Sequence, residues 1–190
     1  MELKKFKLKM ATKAVYVGGF FVILDEDEAS SLYREGFYGR PLGIEKPKTP
    51  IFRSKTILSF YEVLYLKSSK RIDIIDERGE EMSDEDIIQE AGKYIENFEI
   101  KYAVYKDLKN KGFIPKPGMK FGVTFLVYEY GPGIDHAPFL VHVLEKKEKL
   151  EVLEILRAGR LSHSVRKKLV LASVDPSELK IDYYMFRWFE

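Results

Sequence analysis

Three histidines, at positions 136, 142 and 163, are the only imidazoles in the 190 residues, and all three lie in the second half of the chain. Imidazole titrates closest to neutral pH, so a proton donor or acceptor is sought there first. His142 alternates with Val141 and Val143, a strand pattern, and reads as structural. His163 precedes Arg166 by three residues, and it reads as a packed or hydrogen-bonded residue. His136 differs. It follows Gly131-Pro132-Gly133-Ile134-Asp135, a loop joining two expected strands, and strand-end loops are where rigid scaffolds present reactive groups. Taken alone, it is compatible with acid–base chemistry, but a lone loop histidine more often has an ordinary surface role.

Several other chemistries lack their residues. The chain has no cysteine, which excludes disulfides, thiolate metal sites and cysteine nucleophiles. There is no His-Glu-x-x-His, the acidic run Asp25-Glu26-Asp27-Glu28 after the first expected strand opens a helix, and Asp135-His136 offers one ligand pair at most. No metal or cofactor is expected. No Gly-x-Ser-x-Gly elbow is present. The Gly131-Pro132-Gly133 turn is not a phosphate loop, because no helix start follows and Pro132 has no N–H to donate.

Charge is divided unevenly, which suits an anionic partner on the C-terminal half and equally an ordinary charged surface. Residues 1–100 carry 16 Lys/Arg and 19 Asp/Glu, and residues 101–190 carry 16 and 11, so a net of −3 stands beside a net of +5. The densest basic group is Arg157, Arg160, Arg166, Lys167 and Lys168. It could contact a phosphate backbone or cap a helix C-terminus. The aromatic tail from Tyr183 to Phe189 could stack bases or bury itself against another chain.

The elements that must position these groups are legible in outline. Hydrophobic residues make up 45% and charged residues 33%, enough for a packed core with a solvated surface. The longest apolar run, residues 15–24, is one strand long and too short to cross a bilayer. The first residues lack the apolar stretch of a signal peptide, so a cytoplasmic protein without membrane segments is expected. Residues 14–24 read as strand around Gly18-Gly19. A helix follows over 26–35, with Gly36 in the C′ role. Residues 37–54 read as a loop containing Lys46-Pro47-Lys48, then come a helix over 56–67 and a strand over 72–75. Ser83 is an expected N-cap, with Asp86 in the capping-box position. The domain boundary falls near residue 82, giving domains 1–82 and 83–190.

In the second domain the pattern predicts helix over 84–112, broken near Asn97, and a turn at Lys116-Pro117-Gly118. Strands follow over 120–129, 138–144, 168–174 and 181–189, with a helix over 148–157. The fold class is α/β (α+β). A small N-terminal mixed α/β domain precedes a C-terminal mixed sheet flanked by helices.

Five blocks then stand in one order: Tyr105-Lys-Asp-Leu-Lys-Asn-Lys-Gly112, Lys116-Pro-Gly-Met-Lys-Phe-Gly122, Phe125-Leu-Val-Tyr128-Glu129, His136-Ala-Pro-Phe-Leu-Val-His-Val143 and Arg160-Leu-Ser-His-Ser-Val-Arg-Lys-Lys-Leu169. In type and spacing this set resembles the catalytic subunits of archaeal tRNA-splicing endonucleases. The blocks cover residues 100–175. The N-terminal half fits more loosely, through Gly36-Phe-Tyr-Gly39 and Glu62-Val-Leu-Tyr-Leu66.

The resemblance implies a restriction-endonuclease-like C-terminal domain and an enzyme that excises introns from precursor tRNA at a bulge–helix–bulge. It implies a triad of Tyr128, His136 and Lys167. The 2′-hydroxyl of the RNA would attack, His136 would protonate the departing 5′-oxygen, and Tyr128 would orient or deprotonate the nucleophile. Lys167 would offset charge on the phosphorane, leaving 2′,3′-cyclic phosphate and 5′-hydroxyl ends. Arg160 and Trp188 match the residues that sandwich a flipped base, and Lys46 and Lys48 lie in a loop implied to bind RNA.

The family works as tetramer-like assemblies in which an acidic loop docks into a partner. Residues 144–150 here are lysine-rich, which favours a heterotetramer with a related non-catalytic subunit over a homotetramer. Two rivals are weighed: a non-catalytic RNA-binding or scaffold subunit, which has no reason to keep all three triad residues, and a DNA nuclease, which would need clustered acidic metal ligands.

Overall fold

In the computed structural model, which describes residues 11–44, 47, 49, 51–147, 159–160 and 166–186, the apolar run around Gly18-Gly19 is a hairpin. Strand β1 (Thr12–Val17) turns into β2 (Phe20–Ile23), with Val17 opposite Phe20. Gly18 and Gly19 both take positive φ, 55° and 87°. A two-residue hairpin loop needs that backbone, and glycine adopts it without steric cost.

Helix α1 (Glu26–Gly36) begins where the Asp25 carboxylate accepts the N–H groups of Asp27 and Glu28, at 3.0 and 2.9 Å. The left-handed residue at its end is Phe37, at φ 57°, and not Gly36 as expected. Gly36 is small for a different reason: a Cβ there would lie 2.5 Å from Cε2 of Tyr38.

The expected helix over 56–67 starts later. Thr56–Leu58 is strand β4, pairing with β2 on one side and the short β3 (Arg40–Pro41) on the other. Only then does Ser59 cap α2 (Phe60–Ser68). Ser59 and Glu62 form a reciprocal capping box, and the buried Glu62 carboxylate also accepts the Gly39 N–H at 2.8 Å. Strand β5 (Ile72–Ile75) lies parallel to β1, completing a mixed sheet of order β3-β4-β2-β1-β5. Phe21, Ile23, Val63, Leu66, Ile72 and Ile74 are fully buried beneath it, each burial worth about 1.5–3 kcal/mol.

Ser83 caps α3 (Asp84–Gly92) through Asp86, as the spacing predicts. The expected break becomes two separate helices: α4 runs from Phe98 to Asn110, and Asn97 before it is left-handed at φ 51°. Two compact units result, one of Met1–Glu45 with Ile51–Ile87, the other of Lys46–Pro50 with Ile88–Glu190.

The second unit holds a sheet of order β10-β9-β8-β7-β6. Residues expected to turn at 116–118 instead extend β6 (Ile114–Pro117). Two prolines fit there because β6 is an edge strand. The expected strand over 120–129 is shorter: residues Met119–Phe121 make a 3₁₀ turn, and β7 covers Phe125–Tyr128. Strands β8 (Phe139–Glu145), β9 (Lys168–Val174) and β10 (Ile181–Phe186) follow. β8 and β9 are parallel and every other pair is antiparallel. The expected helix over 148–157 and the last three residues of the expected tail strand lie outside the described residues.

Helix α4 packs against β6, β8 and β9, with the Tyr105 ring 6.0 Å from that of Phe125. Phe125, Val127, Leu140 and Leu169 are buried. The Tyr183 hydroxyl on β10 donates to Asp107 of α4 at 2.6 Å, fastening the last described strand to the helix.

Candidate active site

Strand directions decide where the candidate residues fall. Tyr128 is the last residue of β7, and β7 is antiparallel to β8, so Tyr128 lies near the start of β8. His136 comes three residues before β8. Lys167 comes immediately before β9, which runs parallel to β8 with Phe139 opposite Lys168. Phenol, imidazole and ammonium therefore belong to one end of three adjacent strands. Tyr128 and Lys167 are partly buried, and His136 is exposed.

The loop between β7 and β8 is closed on itself. The Gly131 carbonyl accepts the N–H groups of Ile134 and Asp135, at 3.0 and 3.1 Å. In return the Asp135 carboxylate accepts three consecutive N–H groups, from Glu129 (3.2 Å), Tyr130 (3.3 Å) and Gly131 (2.7 Å). Such a concave row of amides suits an anion, and here the anion is the chain's own side chain. Gly133 takes φ 87°, and a Cβ there would lie 2.5 Å from the carbonyl oxygen of Pro47. The loop thus demands glycine on two counts.

Lys167 is held from the same segment. Its Nζ donates to the Ala137 carbonyl, and the next amide, Lys168 N–H, donates to Pro138 O at 2.9 Å. Arg166, just before it, is left-handed at φ 53°, a conformation that costs a non-glycine residue about 1–2 kcal/mol. Strain of this kind concentrates at functional sites.

The charges interact. Burial raises the Tyr128 phenol above its ordinary value, and the Asp135 carboxylate pushes the same way. Burial lowers the Lys167 ammonium, while Asp135 opposes that shift. One carboxylate thus acts on both neighbours. Among the described residues, no group of three His, Asp or Glu side chains gathers as metal ligands would.

Of the remaining candidates, Arg160 is helical and exposed. Trp188, Lys46, Lys48 and His163 lie outside the described residues. His142 sits within β8 opposite Leu171. The part of Asp135 was not visible in the sequence beyond its place beside His136; the signal available was an Asx residue in a glycine-bearing loop.

Two family models match this architecture: the N-terminal domain of tRNA intron endonuclease over residues 12–88, and its catalytic C-terminal domain over residues 98–183. The chain belongs to the tRNA intron endonuclease family. It is similar to a tRNA-splicing endonuclease of Hyperthermus butylicus, at 43% identity over 93% of this chain and 97% of that one. Equal shares are covered in similarity to tRNA-splicing endonucleases of Saccharolobus islandicus, at 43%, and Saccharolobus solfataricus, at 41%. As a tRNA intron endonuclease, the chain is an enzyme, and the span of its catalytic domain contains all of β7, β8 and β9 and the strand ends just described.

Proposed function

We propose that this tRNA intron endonuclease cleaves precursor tRNA at bulge–helix–bulge splice sites by attack of the adjacent 2′-hydroxyl, with no metal in the chemical step. The observation that supports this most is the shared strand end of Tyr128, His136 and Lys167, a phenol, an exposed imidazole and a partly buried ammonium. Together they supply what transesterification through a neighbouring hydroxyl needs. His136 is the general acid for the 5′-oxygen. Lys167 stabilises the phosphorane oxygens, a contribution on the order of 10²–10³ in rate. Tyr128, with its phenol shifted upward, stays protonated at neutral pH and orients the 2′-hydroxyl as a hydrogen-bonding group. The products are a 2′,3′-cyclic phosphate and a 5′-hydroxyl.

Substrate choice follows from shape. A bulged base is cheaper to extrude than a paired one, and Arg160 with Trp188 is proposed to hold it. Lys46 and Lys48 add phosphate contacts. Exposed Tyr184, Met185 and Phe186 on the edge strand β10 support pairing with another chain. With the lysine-rich stretch at 144–150, this favours a heterotetramer with a related non-catalytic subunit.

The test uses a bulge–helix–bulge RNA, with the chain alone and with that subunit. Cleavage that persists in EDTA, yields cyclic phosphate ends, and vanishes when 2′-deoxyribose occupies the scissile position is the expected result. Cleavage of the deoxy substrate would overturn the reading.

A further inference from the structure

We propose that Asp135 is a positioning residue for cleavage: by gathering the amides of residues 129–131, its carboxylate sets the spacing between Tyr128 and His136. This rests on the triad reading above. Glu129 directly follows Tyr128, and His136 directly follows Asp135, so one side chain bonds the backbone beside the phenol to the backbone beside the imidazole. The bonds run from Glu129, Tyr130 and Gly131 N–H to the two carboxylate oxygens. Two main-chain bonds to the Gly131 carbonyl brace the other side of the same turn.

The chemistry requires a carboxylate. Three converging N–H donors need an acceptor on both oxygens, and only an ionised acid offers that without presenting a donor of its own. An amide would keep one acceptor and turn N–H groups toward N–H groups. Alanine would leave the amides to water, and the loop, without the carboxylate that ties residue 135 to residues 129–131, would no longer hold His136 at one place. Displacements of about 1 Å from productive geometry can cost on the order of 10²-fold in rate.

Asp135→Asn, Asp135→Ala, His136→Ala and the double variant Asp135→Ala/His136→Ala test this, all in the active assembly. Single-turnover cleavage, RNA affinity and thermal unfolding are read for each. Expected are losses of about 10-fold for Asn and about 10²-fold for Ala, with RNA affinity and unfolding temperature close to wild type. The double variant should be no slower than His136→Ala, because a residue acting through the imidazole has nothing left to position. The proposal fails if Asp135→Ala cleaves at the wild-type rate. It also fails if its rate loss multiplies that of His136→Ala, or if both Asp135 variants lose activity only in step with unfolding. A fully active His136→Ala would instead overturn the triad reading itself, so the two failures are distinguishable.

Discussion

Lys167 donates its ammonium to the carbonyl of Ala137, the residue that follows His136. This contact and the Asp135 bonds flank the imidazole on either side: the residue before it is tied to the backbone after Tyr128, and the residue after it to the lysine. The three chemical groups come from separate stretches of chain, yet each is referenced to the same short segment, residues 135–137.

Removing the lysine should therefore do more than remove charge. Lys167→Ala should lower the single-turnover rate by about 10²–10³-fold and leave RNA affinity within a few-fold. Lys167→Arg keeps a cation, but its planar fork matches the carbonyl differently. It should recover part of the rate. Equal rates for the Ala and Arg variants would mean that charge at this position is irrelevant.

The pH profile carries a sign. In the proposed mechanism Lys167 acts as a cation, and burial lowers its proton affinity. Measured in a His136→Ala background, which takes the general acid out of the profile, the residual rate should thus fall on the alkaline side below the ordinary lysine value of about 10.4. Tyr128 shifts the opposite way, so the alkaline limb should survive Tyr128→Phe, at a reduced rate. In Lys167→Arg the limb should move up, because guanidinium stays charged. Short incubations with end-group analysis separate enzymatic cleavage from background hydrolysis. An alkaline limb that stays in place in Lys167→Arg would assign it to another group.

Arg166 stores strain at φ 53°. Arg166→Gly should leave stability unchanged or slightly raised, since relief of about 1–2 kcal/mol offsets the extra freedom of glycine in the unfolded chain. Arg166→Val should lower it by about that amount or more, because a β-branched residue tolerates this region least. Denaturant midpoints at constant slope decide it.

In the N-terminal unit, Glu62 carries two jobs at once, the α2 capping box and the Gly39 amide. Ser59→Ala should cost about 1 kcal/mol, as other lost caps do. Glu62→Ala should cost more, about 2–3 kcal/mol, since it also strands buried donors. Similar midpoints for the two variants would show that the Gly39 bond adds nothing.

What the sequence disclosed depended on how local the determinant was. Strand β9 falls on the seven residues that its apolar run predicts, and Ser83 caps α3 through a partner three residues away. The boundary between β4 and α2 is ambiguous in sequence, because Thr56-Ile57-Leu58 continue an apolar helical stripe although Ser59-x-x-Glu62 spells a capping box. Gly36 misled in another way: it looked like a left-handed terminus, but the space it leaves is for the Tyr38 ring. At the site, the ordered blocks carry the resemblance that implies Tyr128, His136 and Lys167, and the fold brings these three to one end of adjacent strands. The carboxylate that organises their loop is signalled only by an Asx residue in a glycine-bearing loop, because its partners are main-chain amides.

The parallel pairing of β8 with β9 also bears on when the enzyme becomes competent during folding. The β7–β8 pair is a local hairpin and can close early, bringing Tyr128 and His136 together. Lys167 arrives only when Lys168 docks beside Phe139, which means closing about thirty residues of chain, and such non-local pairings form slowly. A nascent chain would thus carry the phenol and the imidazole before it carries the ammonium, and under the proposed mechanism the set of three is complete only once β9 has docked.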